Sequence, residues 1–164
     1  MGGQILLEML SQRKDICSHA LVESAAVLPS KLTNVLIAPA FGISYGLIKN
    51  KSFAELQFRS LHIRPELFED YYRDTRRIKK QDMIAFMKAS ASYELKNTFN
   101  GALASTHIYI GEKETGRIQR SAAIICRRYS SCTLHCIPGL RHGEFSMNHA
   151  VQYADAIRHI IRDT

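Results

Sequence analysis

Long apolar runs are missing from this chain. No stretch approaches the roughly eighteen consecutive apolar residues of a transmembrane helix, and the N-terminus lacks a charged segment followed by an apolar stretch and a small-residue cleavage site. The expectation is a cytoplasmic protein without a membrane span. Cysteine is also scarce, with four (Cys17, Cys126, Cys132, Cys136) in 164 residues, and a chain this long with 46% apolar content has core enough to do without a disulfide framework. Free, mostly buried thiols are expected. No metal and no other cofactor is expected either. "SCTLHC" (131–136) alternates like a strand, which puts Cys132 and Cys136 on one face and His135 on the other.

Acidic residues fall short of basic ones, leaving a formal charge of +7. Basic side chains crowd "RDTRRIKK" (73–80), at Arg127 and Arg128, and near Arg158 and Arg162. Such a balance can mark a nucleic-acid or anionic-surface partner. No aromatic–basic interleaving, zinc finger or helix-turn-helix pattern accompanies it, so a solvated helix face is the preferred reading and no nucleic-acid partner is expected. Internal repeats, low-complexity tracts and clear linkers are absent too.

What is present reads as α/β. "MGGQILLEMLSQRK" predicts a helix closed by basic residues in its last turn, and "HALVESAAVL" (19–28) a strand stopped by Pro29. From 31 to 100 the pattern changes to short amphipathic helices broken by Pro39, Gly42, Gly46 and Pro65, with Pro65 at a first helical position, and this stretch reads as a helical insertion. "QDMIAFMKASASYEL" is its last helix. After it come a strand in "STHIYIGEKE", a helix in "GRIQRSAAIICRRY", a strand in "CTLHCIPGLRHGEF" and a closing helix in "NHAVQYADAIRHIIRDT", whose stripe is Val151, Ala154, Ile157 and Ile161. Strands alternating with helices predict about three parallel strands with right-handed crossovers.

In such sheets functional groups gather beyond the C-terminal ends of the strands. Glu112 and Glu114 follow one predicted strand and His142 follows the next. A carboxylate beside a histidine orients the imidazole as a general base and stabilises the imidazolium. A nucleophile upstream would complete a triad in the order serine, acid, histidine. "GISYG" (42–46) is a literal match to G-x-S-x-G, the turn that presents a nucleophilic serine, and makes Ser44 a candidate. Its context argues against it: the elbow must leave a buried strand and enter a helix, whereas "NVLIAPAF" puts a proline just before the turn.

The motifs together resemble the α/β-hydrolase superfamily, in its lidded, esterase-like members. "THIYIGEKE" is similar to the family's seventh strand and acid loop, and "PGLRHGEFSMNHAVQYADAIRHII" to its histidine loop and terminal helix. The resemblance implies Glu114 as the acid, with Glu112 as the alternative, and His142 as the base; glutamate departs from the commoner aspartate. "MGGQILLEML" resembles the stretch after the nucleophile in G-x-S-M-G-G, so that Met1 takes the oxyanion-hole position, Gly2 and Gly3 are the elbow glycines, and the serine precedes Met1. Ser44 then falls where the lid begins.

By this resemblance the chain is the C-terminal part of the fold, with core residues 1–30 and 101–164 and a lid at 31–100. It implies a Ser-acid-His hydrolase of carboxylic esters or related acyl substrates, inactive alone for want of the nucleophile. The first predicted strand would expose an unpaired edge, open to a homodimer or to a complementing N-terminal fragment. The alternative reading is a non-catalytic binding module, or a hydrolase remnant, that uses the lid pocket or the basic face for a partner.

Overall fold

Three strands, β1 (His19–Glu23), β2 (Ser105–Gly111) and β3 (Cys132–Ile137), pair in parallel in that order, in a computed structural model that describes residues 1–162. Val22 faces Ile108, and Ile108 faces Leu134 in register. Parallel neighbours need long crossovers. The segment between β1 and β2 is largely helical, and α6 (Gly116–Arg128) joins β2 to β3. The chain divides into two compact units: Met1–Pro29 with the chain from Tyr93 onward, and Ser30–Ser92.

In the first unit, one sheet face and two helices form the core. α1 (Gly2–Gln12) lays Leu7 and Leu10, both at 0% exposure, beside Ala20, Val22 and Ile108, and α6 adds Ile118, Ala122 and Ile125. Each such aliphatic side chain contributes about 1.5–3 kcal/mol on burial. Leu95 and Phe99 belong to this core, with the Phe99 ring edge-on to Tyr129 at 5.3 Å. On the opposite sheet face Tyr109 packs with Phe145 of α7 (Glu144–Asn148) and Ile160 of α8 (Ala150–Arg162).

Several elements differ from the sequence expectation. α1 stops at Gln12, before Arg13 and Lys14, so no basic residue sits in its last turn. β1 ends at Glu23 because Ser24 turns into the left-handed region at φ 52. Residues beyond it bond to α6 instead: the Val27 N–H donates to Ser121 Oγ at 3.1 Å, and the Arg117 guanidinium donates twice to the Leu28 carbonyl. The closing helix buries Ile160 and partly buries Tyr153 and Ala156, while Val151 and Ile161 of the expected stripe are exposed. Its expected extension through Asp163 and Thr164 lies outside the described residues.

The expectation of four free thiols is also corrected. Cys126 of α6 and Cys132 of β3 form a disulfide, because the short turn between the two elements brings their Cα atoms to 5.0 Å. Cys17 and Cys136 are free, and Cys136 is exposed.

The second unit consists of α2 (Lys31–Ser44), α3 (Lys51–Ser60), α4 (Phe68–Arg77) and α5 (Lys80–Ser92) with two 3-10 turns. Ser30 caps α2 by accepting from the Thr33 N–H, and Asn50 caps α3 by accepting from the Phe53 N–H. Pro65 opens a 3-10 turn, Pro65–Leu67, that leads into α4. α4 carries Glu69 and Asp70 in its first turn and Arg76 and Arg77 in its last, as its dipole favours. Within the basic run, Arg73 pairs with Asp70 and Asp74. Phe58 is buried against the Phe68 and Tyr71 rings at 5.5 and 5.1 Å. Among the described residues no helix is long and apolar enough to cross a membrane.

Candidate active site

The C-terminal ends of all three strands converge on two loops. Residues 111–114 leave β2 and residues 138–144 leave β3, and three hydrogen bonds from backbone N–H groups tie the β2 loop to the end of β3 and its loop. The Glu112 N–H donates to the Ile137 carbonyl and the Lys113 N–H to the Leu140 carbonyl, both at 2.9 Å, and the Gly139 N–H donates to Glu112 Oε2 at 2.8 Å; within the β3 loop the Arg141 N–H donates to Glu144 Oε2 at 2.7 Å. A Cβ on Gly111 would overlap the Leu140 carbonyl, so only glycine lets the loops approach this closely.

That scaffold brings Glu114 and His142 together. His142 Nδ1 lies 3.2 Å from both Glu114 carboxylate oxygens. The Glu114 side chain is 1% exposed and the His142 side chain 65%. Burial pushes the Glu114 carboxyl upward, yet hydrogen bonds from His142 and Ser24 and the Thr115 N–H outweigh it and hold the group below the usual range. The hydrogen bond to Glu114 raises His142 against the opposing pull of burial. An ionised carboxylate only accepts, so Nδ1 carries the proton and the exposed Nε2 keeps its lone pair. Such a pair can serve as a general base oriented by an acid.

Ser24 and Glu23, at the end of β1, support it. The Ser24 hydroxyl donates to Glu114 and accepts from the Gly143 N–H at 3.4 Å. The Glu23 carboxylate accepts from the Phe145 and Ser146 N–H groups at the start of α7. Neither residue was singled out from the sequence for these roles. The strand-end rule that pointed to Glu114 and His142 also covers them, but the expected strand ran past both to Leu28.

The other candidates lie as follows. Glu112 faces the β3 loop through its bond to Gly139, away from the imidazole's carboxylate partner. Met1 is the N-cap of α1, its carbonyl accepting from the Gln4 and Ile5 N–H groups. Its α-amine is near enough to His142 for the positive charge to oppose the imidazolium. Gly3 sits against β1, where a Cβ would meet Ala25 Cβ and Val22 Cγ1 at 3.0 Å; Gly2 faces open space. Ser44 ends α2 in the second unit and donates to the Ala40 carbonyl of its own helix at 2.8 Å. Gly42 and Ser44 are both helical, so the G-x-S-x-G match is not a strand-to-helix elbow.

Solved structures share this architecture. An esterase from Exiguobacterium antarcticum superposes with a TM-score of 0.74 at 15% identity, over 98% of this chain and 63% of its own. A thermophilic esterase from Thermogutta terrifontis gives 0.71 at 13% identity, over 99% and 62%. The fold is that of a partial α/β-hydrolase. A 2-hydroxy-6-oxo-6-phenylhexa-2,4-dienoate hydrolase from a Rhodococcus strain matches with a TM-score of 0.69 at 11% identity, over 98% of this chain and 61% of its own. The chain thus spans about three-fifths of the α/β-hydrolases it matches. No protein-family model matches the sequence, and no curated protein does.

Proposed function

We propose that Glu114 and His142 are the acid and base of an α/β-hydrolase that cleaves carboxylic esters or related acyl substrates, with the attacking serine supplied by the residue before Met1. The single observation that carries this reading is the geometry of the pair: a buried carboxylate on Nδ1 and an accessible Nε2. The charge coupling between the Met1 α-amine and His142 supports the position of the nucleophile. The close seat of Gly3 on β1 supports an elbow there.

In this mechanism His142 Nε2 takes the proton of the attacking hydroxyl, Glu114 stabilises the imidazolium, and the proton passes to the leaving alkoxide. The backbone N–H at Met1, at the positive end of α1, donates to the oxyanion. Of the lid expected at 31–100, the compact unit Ser30–Ser92 takes that role. Among the described residues β1 is bonded to a strand on one side only, and the segment that would cover its other edge is a strand from outside residues 1–164 or from a second copy.

An ester panel tests the proposal. The 164-residue polypeptide should hydrolyse p-nitrophenyl esters no faster than buffer. Fused to an upstream strand ending in Gly-x-Ser, it should turn over, and His142→Ala should lower that rate about 10²–10⁴-fold. Turnover by residues 1–164 that Ser44→Ala abolishes would overturn the assignment.

A further inference from the structure

A second cluster of titratable side chains lies away from the Glu114–His142 pair. His19, Ser105, His107, Tyr109 and His135 line one face of the sheet, and His159 closes over them from α8, around an open cavity of about 490 Å³. The register explains the placement. His107 faces Thr133 and His135 faces Tyr109, so the period of two puts both imidazoles on one face as diagonal neighbours on adjacent strands.

His107 Nδ1 and His135 Nε2 point at one another 3.2 Å apart, with the rings tilted by 21°. Two imidazoles bound to one tetrahedral zinc at about 2.0–2.1 Å hold their nitrogens about 3.4 Å apart. The observed separation of the two nitrogens is close to that spacing. The outward nitrogen of His107 is already engaged: Nε2 is 3.2 Å from Ser105 Oγ. A ligating histidine needs such a partner on its far nitrogen to fix ring and tautomer. Tyr109 stacks on His135 at 4.4 Å and restrains that ring.

We propose that His107 and His135 bind a borderline divalent metal ion of the zinc and nickel class, independently of the acyl-transfer reading. Among the described residues no three His, Cys, Asp or Glu side chains converge as placed. The site therefore offers two adjacent protein ligands, and water or His159, which lines the same cavity, completes the set. Imidazole donors select these ions over calcium or magnesium, which take oxygen ligands.

The test is calorimetric titration of the purified protein with ZnCl2 and NiCl2. One saturable equivalent is expected, with affinity falling about tenfold or more in both His107→Gln and His135→Gln and unchanged in His142→Gln and His62→Gln. Binding unaffected by the first two substitutions, binding lost in His142→Gln, or no saturable binding would each overturn the proposal. The wild-type protein gives a readout independent of variant folding: Zn2+ should shift the ¹⁵N resonances of His107 Nδ1 and His135 Nε2. Shifts confined to other imidazoles would refute it.

Discussion

Replacing Glu114 by glutamine isolates what the carboxylate charge does. The amide keeps the volume and one acceptor oxygen but turns the other into a donor, so His142 Nδ1, the Ser24 hydroxyl and the Thr115 N–H lose an acceptor along with the charge. A hydrogen bond to a buried charged group contributes about 1.5–3 kcal/mol net, and an exposed ion pair about 0.2–1 kcal/mol. Here one side chain is 1% exposed and the other 65%. The pair should therefore be worth about 1 kcal/mol when both groups are charged. The sign follows from the shifts. His142 is raised on folding, so its contribution is full below its unfolded value of about 6.5 and is lost as pH rises through the folded value. Glu114 is lowered, so its contribution is present above its unfolded value near 4.5 and is lost as pH falls through the folded value. Glu114→Gln should thus cost most stability between about pH 5 and 6, lowering the urea midpoint by about 0.5 M for a slope near 2 kcal/mol/M, and less at pH 8. An NMR titration should show the His142 midpoint falling in the same variant. An unchanged midpoint, with a fall in Glu112→Gln instead, would refute the reasoning.

Other perturbations follow from the same contacts. Gly111→Ala puts a methyl group into the Leu140 carbonyl and should destabilise by about 1–3 kcal/mol, with weakened coupling of His142 to Glu114, measured by urea melts and the imidazole titration. Ser24→Ala removes a donor to Glu114, and the carboxyl should titrate higher in a ¹³C NMR experiment. Tyr129→Phe strands the Ala102 and Ala104 carbonyls that its hydroxyl serves, costing about 1 kcal/mol, or about 2–4 °C in Tm.

The alternation of strand and helix was legible because β1, β2 and β3 carry short β-branched and apolar runs and α6 carries a strong amphipathic pattern. That a carboxylate of the β2 loop would meet His142 was legible from strand ends, since parallel neighbours in a sheet deliver their following loops to one edge; strand ends offered Glu112 and Glu114 alike, and the choice of Glu114 came from the family resemblance. The end of β1 was not: Ala25 to Leu28 look like strand, and only the left-handed backbone at Ser24 turns them toward α6. The stripe expected on α8 was half right: Ala154 and Ile157 are partly buried, whereas Val151 and Ile161 are exposed and contact with Phe145 and Tyr109 draws in Tyr153, Ala156 and Ile160 instead. Pairing of Cys126 with Cys132 depends on how tightly α6 turns into β3, which spacing does not encode. The diagonal meeting of His107 and His135 required the register of β2 on β3.

The central claim is that the residue before Met1 sits beside the His142 imidazole. Acetylating the Met1 α-amine removes the positive charge that lowers His142, so an NMR titration of the acetylated protein should show the His142 midpoint displaced upward from that of the unmodified chain. An identical midpoint in the two proteins would contradict that adjacency and, with it, the position assigned to the nucleophile.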